Sequence, residues 1–331
     1  MPSVAVFGAS GFAGALAADL LWRHPSFELV TVTSRSDSGR RLDDLYPRYR
    51  VPLILEEPDV DAQAGVDAAI VAYPHAASAG LVAALRKRGV RVVDLSADFR
   101  LRDLGVYAEH YGQHPEPSLI QEAVYGLTEL RREEIAGADL VANPGCFPTA
   151  ALLALAPLAR AGLIGDVVID AKTGVSGAGR AATETTHFCS VDENVVAYKV
   201  GTHRHTPEID QELSLMGSAA GPITFVPHLV PLDQGELVSC YVRGTEDVGA
   251  DLDQIYATAY AQEPFIEIAQ TPPGVRDVRD TNICRISVHR DQRSGLIVVF
   301  AAIDNLWKGT SSQAVANLNL MFGLPEGEGI S

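Results

Sequence analysis

The feature that most constrains this chain is Gly8-Ala9-Ser10-Gly11-Phe12-Ala13-Gly14, a glycine-rich turn between an apolar run and a helical stretch. Glycines let the backbone turn sharply and come close to a pyrophosphate, which then rests on the N-terminus of the following helix. A glycine-rich turn alone is often only a turn. Its place here, straight after Ser3-Val4-Ala5-Val6-Phe7, makes Gly8, Ser10, Gly11, Phe12 and Gly14 candidate dinucleotide contacts. The end of the next strand chooses between NAD and NADP. An acidic side chain there would bind a ribose 2′-hydroxyl, but the chain reads Thr31-Val32-Thr33-Ser34-Arg35-Ser36. The hydroxyl of Ser34 and the guanidinium of Arg35 suit a 2′-phosphate, so NADP is the expected cofactor; the alternative is a solvated loop.

Strands are expected at residues 4–7, 28–33, 68–72, 90–95 and 139–142, with helices at 13–23 and 76–87 between them. This alternation implies βαβ units and a parallel, Rossmann-type sheet. From Thr149–Arg160, an Ala- and Leu-rich helix candidate, the pattern changes. Longer strands at 167–172, 223–229, 237–242, 284–289 and 296–303 point to an α+β part with a mixed sheet. A closing helix is expected over Gly309–Phe322, and Leu324–Gly329 reads as a loose tail. The length of 331 residues suits two domains.

The formal charge of −16 and the lack of a basic run argue against nucleic acid as a partner. The four cysteines show no metal-type spacing, so neither a disulfide framework nor a metal site is expected. With no spanning apolar run and no leader pattern before the first strand, the chain reads as soluble, cytoplasmic and free of membrane.

Asn143-Pro144-Gly145-Cys146-Phe147-Pro148-Thr149 lies where a strand yields to a helix. At a helix start, backbone N–H groups and the macrodipole favour a thiolate, and the same donors can hold an oxyanion. Cys146 is therefore the candidate nucleophile, whereas Cys189, Cys240 and Cys284 read as ordinary small residues. Its acid/base partner is sought in His203-Arg204-His205-Thr206-Pro207-Glu208-Ile209, with Thr206 expected to cap a helix that starts at Pro207. A helix N-terminus keeps an imidazole neutral, as a general base requires. His205, nearer the cap, is preferred, with His203 in reserve.

These segments, with Tyr73-Pro74-His75, Asp94–Arg100, Tyr125–Glu129, Lys172–Arg180 and Asp304–Gly309, resemble the N-acetyl-γ-glutamyl-phosphate reductase family, relatives of aspartate-semialdehyde dehydrogenase. The resemblance runs nearly end to end. It implies an acyl phosphate as the small-molecule substrate, a thioester on Cys146 and hydride from NADPH, in arginine biosynthesis. It implies substrate contacts at Ser96, Arg100, Glu129 and Arg204, and cofactor contacts at Pro74, His75, Ser176, Gly177 and Asn305. Asn305 could equally cap a helix, and Asp98–Arg100 could be a structural pair. Five cations, Arg35, Arg100, Lys172, Arg180 and Arg204, are expected to converge on the anionic ligands. The family's architecture implies an NADP-binding domain of residues 1–143 plus 306–331, onto which the closing helix returns. Residues 144–305 would form a catalytic domain that builds a homodimer or homotetramer. Compact loops near 219–222 and 248–251 leave the oligomer contacts more open than the chemistry.

Three other readings compete. A reductase of carrier-linked glutamyl or aminoadipyl phosphate would need a basic docking surface, which an acidic chain does not suggest. Aspartate-semialdehyde dehydrogenase fits the His203–His205 and Asp94–Arg100 segments less well. An NADP-sensing module would have no need of Cys146 or His205.

Overall fold

Strand β1 (Ser3–Phe7) and helix α1 (Phe12–Trp22) flank the glycine turn, and the computed structural model describes residues 1–63, 65–217, 221–244 and 249–330. The chain continues through β2 (Glu28–Thr33), α2 (Leu42–Leu45), β3 (Leu55–Glu56), β4 (Ala68–Val71), α3 (Ala79–Arg86), β5 (Arg91–Asp94) and α4 (Leu104–Tyr111). It then adds β6 (Val124–Tyr125), α5 (Thr128–Ala136) and β7 (Leu140–Ala142). The seven strands form one sheet in the order β3-β2-β1-β4-β5-β7-β6, and every pairing is parallel. Strands covered on both faces read as unbroken apolar runs, which is why Val4–Phe7 and Ala68–Val71 are buried throughout. The strand order reverses between β1 and β4, the usual place for a ligand in such sheets.

Helix α6 (Cys146–Arg160) opens a second compact unit, Cys146–Gly309. It contains β8 (Val167–Thr173), α7 (Phe188–Val191), β9 (Val196–Ala197), α8 (Thr206–Leu215), β10 (Thr224–Leu229) and β11 (Glu236–Val242). Helix α9 (Leu252–Ala259), β12 (Ile266–Ile268), β13 (Cys284–Arg290) and β14 (Ile297–Ile303) complete it. Its sheet is mixed, in the order β12-β13-β14-β11-β8-β10-β9. Residues 218–220 and 245–248, within or beside the loops expected to be compact, lie outside the described residues.

Helix α6 buries every residue from Phe147 to Ala159 and carries Pro157 inside it. Proline has no N–H to give the carbonyl four residues back. That carbonyl, on Leu153, accepts instead from the Tyr260 hydroxyl at 2.5 Å, and the adjoining Ala154 carbonyl accepts from Tyr256 at 2.5 Å. Tyr260, just past the end of α9, thus repairs a break that the sequence of α6 makes in itself.

The chain ends in a first unit made of Met1–Gly145 and Thr310–Ser331. Helix α10 (Ser312–Met321) packs against α1 and α5. Its Gln313 and Asn317 amides donate to the Gly126 carbonyl at 3.0 and 2.8 Å. The tail after it is not loose. Asn319 donates to the Glu326 and Glu328 carbonyls, His24 Nε2 meets the Glu328 carbonyl, and Arg132 pairs with Glu326 at 2.6 Å. Turn residues in the sequence suggested solvent, but the fixed partners lie far away along the chain and hold the turns down. Among the described residues no helix is long and apolar enough to cross a membrane.

Candidate active site

In the first unit, three candidate segments sit at the carboxyl ends of β1, β2 and β4. Gly8 has φ +86°, and a Cβ there would fall 2.6 Å from the Ala72 carbonyl oxygen; one on Gly14 would fall 2.3 Å from the Gly8 oxygen. Both positions therefore require glycine. Above Gly11 a Cβ would meet only the Gly8 oxygen, at 3.6 Å. No side chain caps α1, so its N-terminal amides face this open side. Ser10 and Ser34 hydroxyls meet at 2.8 Å, and Arg35 lies over the Tyr73 ring at 4.7 Å, next to Pro74 and His75. Phe12 packs edge-on against Tyr46. Asp37, buried nearby, accepts from Ser36 and Arg40; Ser34 is buried beneath the tip, where Arg35 and Ser36 are exposed. This set fits a phosphorylated dinucleotide.

The segment after β5 turns its polar groups inward. Ser96 Oγ donates to Asp94 at 2.5 Å and accepts from the Asp98 N–H at 3.0 Å. Asp98 accepts from the Ala76 and Ala79 N–H groups and the Tyr107 hydroxyl, which makes it the anchor of α3. Arg100 donates to the Asn143 and Leu95 carbonyls, each at 2.8 Å. Burial pushes Asp94 up to about 6, against the pull of Ser78 and Ser96. Glu129, also buried, accepts from Thr128 at 3.1 Å at the start of α5.

In the second unit Cys146 is the first residue of α6, and its neighbour Phe147 gathers the histidines. The Phe147 ring lies edge-on to His203 at 5.6 Å and to His205 at 6.0 Å, and the two imidazoles are 4.9 Å apart. Helix α8 begins one residue earlier than expected. Thr206 is its first residue and cannot cap it; His205 holds the cap position without a side-chain capping bond. His203 Nδ1 accepts from the His205 N–H at 3.2 Å. Burial, then the charge of His205, depresses His203 to about 3. His203 is thus neutral and committed to the backbone, while Arg204 is half-buried between the two.

One expectation is corrected here. Along β8, residues alternate between faces, so Lys172 shares Asp170's face, away from buried Thr173, and pairs with Asp170 at 2.6 Å. It does not converge with the thiol. The Asn305 amide is held by its neighbours: it accepts from the Gly235 N–H at 2.7 Å and donates to Ser176 at 3.0 Å. Gly177 and Arg180 lie exposed in the turn beyond Ser176.

Sequence reasoning missed Glu236, the first residue of β11. It is fully buried, and neither carboxyl oxygen has a hydrogen bond of ordinary geometry. The groups within reach are the Cys146 thiol and the Thr173 hydroxyl. Burial, with Asp304 adding its charge, pushes the carboxyl up to about 8. The signal was present: Glu236 shares the inward phase of Val238 and Cys240 in an apolar strand.

Residues 3–138 match the NAD-binding domain of semialdehyde dehydrogenases, and residues 146–305 match their dimerisation domain. The structure resembles aspartate semialdehyde dehydrogenase II from Vibrio cholerae, complexed with ASA, with a TM-score of 0.75 at 20% identity over 98% of each chain. It also resembles aspartate semialdehyde dehydrogenase with NADP from Candida albicans, with a TM-score of 0.68 at 14% identity over 97% of this chain and 98% of that one. N-acetyl-gamma-glutamyl-phosphate reductase of Dehalococcoides mccartyi is 46% identical over 98% of this chain and 96% of its own. The enzymes of that name from Ectopseudomonas mendocina and Geobacillus stearothermophilus are 45% and 44% identical over 100% of this chain and 98% of theirs. The chain belongs to the N-acetyl-γ-glutamyl-phosphate reductase family of semialdehyde dehydrogenases.

Proposed function

We propose that this chain reduces N-acetyl-γ-glutamyl phosphate to N-acetylglutamate 5-semialdehyde with release of phosphate, as a step of arginine biosynthesis, through a thioester on Cys146. The observation that carries this is Cys146 at the first turn of α6, with the histidine-bearing start of α8 packed on the next side chain. NADPH, when bound, supplies the hydride that reduces the thioester. The glycine turn, Gly8 to Gly14, receives the pyrophosphate on the amides of α1, and Ser34 with Arg35 receives the 2′-phosphate.

His205 takes the thiol proton. The Cys146 sulfur attacks the acyl carbon, the C–O bond to phosphate breaks, and phosphate departs with that electron pair. The amides at the start of α6 hold the carbonyl oxygen as it gains charge. After reduction the C–S bond breaks, the carbonyl reforms as the aldehyde, and His205 manages the proton on oxygen. Arg204 is the proposed anion contact beside these groups. Residues 144–305 are the proposed catalytic and oligomer-forming part, working as a homodimer or homotetramer in the cytoplasm.

The test runs the reaction backwards. Phosphate-dependent reduction of NADP is measured with N-acetylglutamate semialdehyde beside aspartate semialdehyde, with Cys146→Ala in parallel. The acetylated substrate should be used in strong preference, and the variant should lose several orders of magnitude in kcat while binding NADPH normally. Preference for aspartate semialdehyde sinks the substrate; surviving turnover in the variant sinks the thioester.

A further inference from the structure

Glu236 is a group that the mechanism above does not use. Its place is tightly determined. It opens β11 opposite Thr173 of β8 and Ile303 of β14. The turn before it is pinned on both sides. The Gly235 N–H donates to Asn305 Oδ1 at 2.7 Å, and its carbonyl accepts from the Gly174 N–H at 2.9 Å. Cys146 is pinned as well, since a Cβ on Gly309 would come within 2.8 Å of the Cys146 Cβ. The carboxyl has no solvent contact, and the groups within its reach are the thiol of Cys146 and the hydroxyl of Thr173. Burial, then the charges of Cys146 and Glu236, holds Tyr198 protonated.

We propose that Glu236 is a catalytic residue that works as an un-ionised carboxylic acid, donating its O–H to the Cys146 sulfur. A buried acid without a cationic partner stays protonated, because burial penalises the charged form. A neutral carboxylic acid is a strong donor to an anion, and some enzymes keep one for that purpose. The Cys146 sulfur carries negative charge twice: when its proton has gone to His205 before attack, and when the C–S bond breaks. The same O–H stabilises both forms without moving, so no proton is transferred and the balance of the reaction is unchanged. Division of labour follows, with His205 exchanging protons and Glu236 holding the sulfur.

The role has a pH signature. Glu236 rises to about 8, so above that pH it loses its proton and sets a carboxylate against the thiolate. The other titratable groups facing the pair are Tyr198, which burial holds protonated, and Asp304, which burial also raises. His203 and His205, whose rings pack on Phe147 beside Cys146, are present alike in wild type and in any Glu236 variant.

The inference rests on Cys146 as nucleophile, a reading that Cys146→Ala tests separately. Here the readouts are kcat and the rate of Cys146 alkylation by iodoacetamide across pH, in a Cys189→Ser background that removes the exposed thiol. Glu236→Met, which has no donor, should slow alkylation at pH 7 about ten-fold and lower kcat by about as much or more. Glu236→Gln keeps a donor that cannot ionise. It should stay within about three-fold of wild type at pH 7 and lack the fall in kcat expected of wild type above pH 8. Equal alkylation profiles in wild type and Glu236→Gln, or full activity in Glu236→Met, overturn the proposal. Should the methionine variant fail to fold, the comparison of wild type with glutamine above pH 8 decides alone.

Discussion

Two neighbouring histidines illustrate how much a single residue's environment decides. His203 is buried, sits at about 3, and spends Nδ1 on the backbone of His205. It therefore stays neutral across the whole working range and is poorly suited to exchange protons. His205→Asn should lower kcat about 10²–10⁴-fold with an unchanged circular dichroism spectrum, as expected for loss of an acid/base group. His203→Asn should show a different signature. Its imidazole binds a proton in the unfolded chain near 6.5 but in the folded chain only near 3. Stability from this site is thus present above 6.5 and lost as pH falls from 6.5 toward 3. Urea midpoints measured across that window should fall less steeply with acid in the variant; equal slopes would mean that His203 is not held neutral. The nearness of His205 to a helix start was legible in the sequence. That His203 Nδ1 faces a backbone N–H was not, because it depends on the turn the chain takes between the two residues.

At the scale of elements, the local signals were strongest where one period dominated. Strands β1 and β2 and helix α1 agree with the sequence pattern to within a residue. Helices α4 and α9 were not anticipated, though Asp103 and Asp251 cap them with their carboxylates; their short, mixed patterns gave no clear face. Helix α6 was legible from its Ala and Leu content, but the way it tolerates Pro157 was not. The repair comes from Tyr260, about a hundred residues later, whose hydroxyl meets the freed Leu153 carbonyl. Tyr260→Phe should therefore cost about 1–3 kcal/mol, the usual penalty for stranding a buried polar group. In a Pro157→Ala background the helix makes its own bond, and the same change should cost clearly less. A double-mutant cycle in urea measures the difference; strict additivity would show that the tyrosine does not serve the proline's gap.

At the scale of the whole molecule, the first unit is built from two segments that the sequence keeps far apart, 1–145 and 310–331. Patterning exposed the closing helix, since α10 has apolar residues at helical spacing, yet it also carries buried Gln313, Asn317 and Asn319. Those amides are buried with partners that are carbonyls on other turns, Gly126 and the tail itself. The tail was misread: turn residues specify local conformation, whereas burial is decided by what lies beneath. His24 and Phe27 form that surface, with Phe322 edge-on to Phe27 at 5.3 Å and Ile330 buried nearby in sequence to Glu328. Gly329 is required there, since a Cβ would fall 2.2 Å from the His24 ring. The tail is thus a strap fixed by polar contacts at His24, Asn319 and Arg132. Deleting residues 324–331 should lower the first unit's thermal midpoint by several degrees, at about 2–4 °C per kcal/mol for a domain of this size. Calorimetry with and without NADPH should show the same loss in both, because the cofactor raises wild type and the deletion alike by mass action. A deletion that leaves the midpoint in place would return the tail to the loose end its sequence suggests.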